Sequence, residues 1–331
     1  MDGLTKIAPG TANVGITDRP EPSLRPGHVI LEVEAAGICG TDIHIVDDEF
    51  ASRPPVIMGH EVCGVVSRVA EDADDTLWLG RRVVSETYFS TCGTCIHCLN
   101  GRRNLCLERR SIGSAVDGAF APRLLVPVAN LHLVPAAIAS EAAALTEPLA
   151  CVCHALLDPP IVTDNDSVLV VGPGPIGLIA AQVARASGGD VHVRGTARDA
   201  LRLAKARELG LTTSLVGDEL GVFDVVIECS GREHGMTACF QHACRGGRYV
   251  QVGLAGRTVS VPFDEICFRE LTVTGGNAST TQSWQRALEL IDADAVDLGI
   301  LVTEVVPLAE WERAFEATRS AKGVKFVLDP R

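Results

Sequence analysis

Apolar positions change their period along this chain, and the change divides it. Residues 28 to 36 (His28-Val29-Ile30-Leu31-Glu32-Val33-Glu34-Ala35-Ala36) are rich in β-branched residues and end in alternation, which predicts a strand delivering Cys39 just beyond its end. Val62 to Val69 and Arg82 to Glu86 read as further short strands, with Gly80 and the acidic run from Asp72 to Asp75 between them. A β-rich, irregular first domain follows. From Ser167 the pattern switches to buried strands alternating with helices. Ser167-Val168-Leu169-Val170-Val171 predicts a buried strand and is followed by a helical run to about Ala186. Strands are expected again at Val191 to Arg194, Asp224 to Glu228, Arg248 to Val252 and Leu271 to Thr274, with a helix around Leu201 to Leu209. This repetition predicts an α/β, doubly wound parallel sheet. A helix near Ser283 to Ile291 leads out of it, and Val302 to Val306, a helix near Ala309 to Arg319 and a strand at Val324 to Leu328 have no βαβ unit of their own. The expected division is therefore 1–152, 153–281 and 282–331, the last part returning to complete the first.

Composition narrows the function classes. The 331 residues, 47% hydrophobic and 21% charged, suit two globular domains. A net charge of -13 without a basic patch argues against nucleic acid and anionic membrane as partners. Ser167 to Ala184 is apolar enough to suggest a membrane span, but Gly172, Pro173, Gly174, Pro175 and Gly177 near its start favour a strand followed by a helix. The stretch Met1 to Lys6 lacks the apolar core of a signal peptide, so a reducing cytoplasm is expected, where the twelve cysteines read as metal ligands and core packing.

Chemistry concentrates in four places. Gly37-Ile38-Cys39-Gly40-Thr41-Asp42-Ile43-His44, with Gly59-His60-Glu61, supplies a thiolate, imidazoles, a hydroxyl and a carboxylate, a donor mixture that suits zinc and the movement of an alcohol proton. Cys92, Cys95 and Cys98 stand at two-residue gaps, and Cys106 follows after seven more residues, a spacing expected of a closed structural zinc shell. Glu147, beside Pro148, stands at a predicted helix start among apolar neighbours. Finally Gly172-Pro173-Gly174-Pro175-Ile176-Gly177 lies between a strand and a helix, the context in which a G-x-G-x-x-G run admits a pyrophosphate.

Together these pieces resemble the zinc-dependent medium-chain dehydrogenase/reductase superfamily, and within it the threonine, sorbitol and other polyol dehydrogenases. The resemblance implies a Rossmann domain inserted into a GroES-like catalytic domain with a zinc lobe at 92–106. It implies a catalytic zinc on Cys39 and His60, with Glu61 and Glu147 as acidic ligands or near-ligands, and a proton relay through Thr41 and His44. A second, structural zinc is implied at Cys92, Cys95, Cys98 and Cys106. The expected reaction interconverts a secondary alcohol and a ketone on a small polar substrate with NAD(P), in a homodimer or homotetramer; a threonine-type 3-dehydrogenase and a non-catalytic dinucleotide binder are the alternatives. NAD-specific members carry an acidic residue where this chain has Gly195, followed by Thr196, Ala197 and Arg198. With Arg194 or Arg198 available to pair with a 2′-phosphate, NADP is expected over NAD, unless Asp199 takes the ribose.

Overall fold

The computed structural model describes residues 1–331, which fall into two units: Met1–Glu147 with Val302–Arg331, and Pro148–Leu301. The first is β-rich. Its main sheet runs Leu131–Leu133, Arg82–Ser85, Glu61–Val69, His28–Gly37, Lys325–Asp329, Val302–Pro307, and Arg123–Pro127 also pairs with His28–Gly37. The long strand His28–Gly37 is buried over most of its length, as its β-branched run requires. Its last residues are paired on both sides: Gly37 faces Glu61 across one antiparallel ladder and Val327 across the other. That double pairing brings the ends of three strands, far apart in sequence, to the helix Gly40–Val46. Leu31, Val33, Ile38, Met58, Phe120, Phe315 and Leu328 belong to the core beneath.

The second unit is a six-stranded, wholly parallel sheet in the order Thr212–Leu215, Asp190–Gly195, Ser167–Val171, Phe223–Glu228, Ala243–Gln251, Thr272–Gly275. Strand order reverses direction at Ser167–Val171 and Phe223–Glu228, the position at which open α/β sheets take ligands beyond their carboxyl ends. The apolar run that also suggested a membrane span is the strand Ser167–Val171 and the helix Pro175–Ala186, and no helix is long and apolar enough to cross a membrane.

Two boundaries differ from the expected division. The helix Thr281–Asp292 stays with the second unit, and the return begins at Val302 rather than near residue 282. Trp284 and Ala287 are buried, and Gln182 exchanges amide hydrogen bonds with the Asp297 backbone at 3.2 and 2.6 Å. The first boundary falls at Glu147, inside the helix Thr146–Leu157, not at 152.

Candidate active site

Three donors converge at the end of the long strand. Cys39, His60 and Glu61 each present a ligand atom within 4.8 Å of the others. The sequence holds them there by close packing: a Cβ on Gly37 would lie 2.1 Å from Glu61 Oε2, so only glycine leaves room for that carboxylate. Cys39 precedes the helix Gly40–Val46, and its N–H donates to Asp42 Oδ2 at 2.9 Å. Thr41 therefore does not cap this helix, and its hydroxyl is left for other use.

Two residues not singled out from the sequence complete the cluster. Asp42, fully buried, sets Oδ1 3.7 Å from His60 Nδ1, within ion-pair range but too far for a hydrogen bond. Burial opposes a charge on His60, but Asp42 and then Cys39 outweigh it and hold its pKa well above the ordinary value. Lys325 reaches Glu61 from 264 residues away, Nζ to Oε1 at 2.6 Å, with both groups buried. Burial again opposes the charge, and Glu61 foremost raises the Lys325 pKa above its usual range. Glu61 Oε2, on the far side of that ion pair, is buried without a hydrogen-bond partner. A buried carboxylate oxygen beside a thiol and an imidazole fits a divalent metal of zinc's preferences. The signal for Lys325 was a lone cation in the apolar run Val324-Lys325-Phe326-Val327-Leu328.

Other predicted residues lie apart from that trio. Glu147 is buried at the start of the helix Thr146–Leu157 but is not one of the three. Thr41 is half-buried, whereas His44 is exposed and holds Glu49 Oε2 through Nδ1 at 2.7 Å.

The four cysteines do converge. Cys92, Cys95, Cys98 and Cys106 form one group, with Cys92 Sγ 3.6 Å from Cys106 Sγ and 3.9 Å from Cys98 Sγ. Thiolates about 2.3 Å from one tetrahedral ion stand roughly 3.8 Å apart, so the lobe is shaped for zinc. Backbone N–H groups of Thr94 and Cys95 foremost lower the Cys92 thiol to about 6.

In the second unit, a Cβ on Gly177 would lie 1.8 Å from the Gly172 carbonyl oxygen, so the helix Pro175–Ala186 can start this close to its strand only with glycine. Gly174, between them, has open space beside it, bounded by Arg202 Nη1 at 4.0 Å. The turn fits a dinucleotide pyrophosphate. At the end of the next strand a Cβ on Gly195 would meet Pro173 Cγ at 2.9 Å, leaving no room for a ribose-binding carboxylate there. Asp199 Oδ2 already accepts from Thr196 N and Oγ1 at 2.8 and 2.7 Å. Arg194 is spent differently from expectation: it is buried, and its guanidinium is bound to His242 Nε2 at 2.6 Å and the Asp218 carbonyl at 3.3 Å. Arg198 is exposed, and Arg202, which sequence reasoning passed over, lies 3.9 Å from Asp199 Oδ1.

Comparison with known proteins agrees with this geometry. Residues 25–136 match the family described as alcohol dehydrogenase GroES-like domain, and residues 175–293 match zinc-binding dehydrogenase. The chain is 35% identical to sorbitol dehydrogenase of Halalkalibacterium halodurans, covering 100% of this chain and 99% of that protein. It is 32% identical to D-arabitol-phosphate dehydrogenase of Enterococcus avium, over 99% and 97% of the two chains. A zinc-binding dehydrogenase from Sinorhizobium meliloti, solved bound to NADP, superposes with a TM-score of 0.91 at 30% identity, covering 99% of each chain.

Proposed function

Because this chain belongs to the zinc-binding alcohol dehydrogenase family and is an alcohol oxidoreductase, we propose that it interconverts a secondary alcohol and a ketone on a polyol or sugar alcohol, with NADP preferred over NAD. The observation that carries the reading is the Glu61 carboxylate gathered with Cys39 and His60, its Oε2 buried and without a hydrogen-bond partner. Those three residues would hold a catalytic zinc, with Glu147 in reserve as a further acidic ligand. When bound, zinc supplies a Lewis acid for the alcohol oxygen. Asp42 sets a buried carboxylate beside the His60 ring, and Lys325 holds the Glu61 carboxylate in place. Thr41 receives the substrate hydroxyl and His44, paired with Glu49, exchanges its proton with solvent. Thr41 and His44 share no hydrogen bond, so a hydroxyl of substrate, cofactor or water bridges them. A second zinc in the four-cysteine lobe is structural.

Preference for NADP rests on the crowding at Gly195, the engagement of Asp199 by Thr196, and the exposed Arg198. Arg198→Ala is expected to weaken NADP binding by roughly 1–3 kcal/mol, the scale of a charge-assisted hydrogen bond, and to leave NAD nearly unchanged. Equal loss for both cofactors rejects the assignment. The reading as a whole is tested by zinc analysis together with a panel of sugar alcohols, polyol phosphates, cyclitols and L-threonine, followed by nicotinamide absorbance with each cofactor. Turnover of L-threonine alone would move it to the threonine 3-dehydrogenases. A zinc-replete enzyme that oxidises no alcohol in the panel would point instead to a dinucleotide-binding role.

A further inference from the structure

The helix Gly40–Val46 runs directly into three consecutive acids, Asp47-Asp48-Glu49, and each meets a different partner. Asp47 takes the guanidinium of Arg319 on both oxygens, at 2.6 and 2.9 Å, and that contact foremost holds its carboxyl below the ordinary value. Asp48 Oδ1 lies 3.3 Å from Nζ of Lys6, a lysine with no exposed surface, whose Nζ also donates to the Gly10 carbonyl at 2.7 Å. Lys6 closes the strand Asp2–Lys6 and Arg319 closes the helix Trp311–Arg319, so elements from opposite ends of the sequence pin this turn. Glu49 is left for His44: its Oε2 accepts from His44 Nδ1 at 2.7 Å.

The backbone enforces that last contact. Asp48 has a φ of 61°, in the left-handed region that aspartate enters more readily than most side chains. The chain doubles back there, and the Glu49 N–H donates to the His44 carbonyl at 2.8 Å. Main chain and side chain of Glu49 are thus both set against one residue. A carboxylate accepts and cannot donate, so the hydrogen between them belongs to Nδ1, and in the neutral ring the lone pair is on Nε2. Thr41 stands one helical turn before His44, on the same face of the helix. The His44 and Glu49 side chains are 49% and 63% exposed, and a pair so open to solvent adds little stability. What the contact decides is which imidazole nitrogen stays free.

We propose that Glu49 is a positioning residue for proton release: by accepting the Nδ1 hydrogen of His44, it fixes the ring in the tautomer whose Nε2 is open to the proton of the alcohol. The inference rests on reading Thr41 and His44 as the relay. In the oxidation the alcohol carbon gives a hydride to the cofactor and the alcohol oxygen gives up a proton, which leaves a ketone. That proton is taken up at Nε2 while Nδ1 keeps its hydrogen. Water then removes it from Nε2, and His44 returns to the tautomer it started from, ready for the next turnover without a ring flip.

Two measurements on zinc-replete protein test this. Nitrogen NMR of the His44 ring, assigned by the signals missing from His44→Ala, reports which nitrogen carries the hydrogen at about pH 9, where a free imidazole is neutral. Wild type is expected to show Nδ1–H, and Glu49→Ala a mixture of both tautomers. In turnover of the polyol oxidised fastest, Glu49→Ala is expected to lower kcat by roughly 3- to 10-fold, the tautomer shift that one hydrogen bond of ordinary strength controls, with KM and zinc content kept. The same substitution made in His44→Ala is expected to cost nothing further. An equal loss in both backgrounds would make Glu49 a loop anchor only and overturn the proposal. So would a wild-type ring protonated at Nε2, or a ring spectrum that Glu49→Ala leaves unchanged. Failure of the relay itself looks different: His44→Ala would then turn over at the wild-type rate, and Glu49→Ala would alter the ring spectrum but not kcat, which removes the role in proton release.

Discussion

Lys325 shows how much of the Cys39, His60 and Glu61 cluster depends on a single side chain. Its raised pKa means that the ion pair with Glu61 contributes fully below the unfolded lysine value and is lost only as pH rises through the higher folded value, so at neutral pH it is intact. Lys325→Met would leave the Glu61 carboxylate buried and unpaired, and is expected to cost about 3–5 kcal/mol in metal-free protein. Added zinc returns a positive charge to Glu61, so the deficit, read from urea titrations with and without metal, is expected to shrink on loading. An equal deficit in both states would detach Glu61 from the metal cluster. For the relay, His44→Ala is expected to slow alcohol oxidation by roughly 10²–10⁴-fold with zinc retained; an unaltered rate and pH profile would remove His44 from proton transfer. The convergence of Cys39 with His60, and of the four lobe cysteines, was legible in the sequence because cysteine and histidine stand there at the few spacings that suit a shared ion. Asp42 was visible but unreadable, since a helix-start carboxylate looks alike whether it faces solvent or His60. Lys325 was beyond local pattern because its partner is 264 residues distant. Arg194 was misjudged for the opposite reason: an arginine at a strand end reads as exposed, and here the fold buries it against His242.

At the scale of elements, continuous apolar runs marked the parallel strands, because a strand covered on both faces has no polar side to show. The edge strand Thr212–Leu215 was missed, being short and mostly uncovered, and the helix Glu233–His242 carries little amphipathic pattern. The strand expected at Leu271 to Thr274 is found one residue on, at Thr272–Gly275, and Glu265–Phe268 before it is a helical turn. One side-chain clasp joins two parallel strands at their starts. Asp224 Oδ2 accepts from Ser167 N at 2.9 Å and Oγ at 2.6 Å, and these bonds foremost lower its pKa. A lowered folded pKa contributes stability above the unfolded carboxylate value and loses it as pH falls through the folded one. Asp224→Asn is therefore expected to cost about 1 kcal/mol at pH 7, screened by its partial exposure, with the gap to wild type closing below about pH 4. Denaturant midpoints across pH check this, and a gap independent of pH would assign the effect to bond geometry rather than charge. In the lobe, Cys95→Ser is expected to release one zinc and lower the melting temperature while substrate preference is kept.

For the whole molecule, the parallel sheet ends in a liability. Thr272–Gly275 is an edge strand paired on one side only, and three of its four residues are exposed. Val273 is 41% exposed, and Phe263 and Phe268, just before it in the chain, are 70% and 68% exposed. Single apolar residues at a surface are ordinary, but an unprotected strand edge with large aromatics in the segment leading to it is what isolated proteins guard with charge, proline or a bulge. This edge has none of those in its four residues, Thr272-Val273-Thr274-Gly275. Pairing with the same strand of a second copy about a two-fold axis would satisfy its backbone groups and cover Val273 at once, in a closed assembly that does not propagate. Wild-type protein is accordingly expected to be a dimer or a tetramer by light scattering at micromolar concentration. Val273→Asp sets two carboxylates against each other across the axis and is expected to shift the population to the smaller species with the melting temperature lowered. A monomeric wild type, or a Val273→Asp variant of unchanged mass, would place any assembly elsewhere.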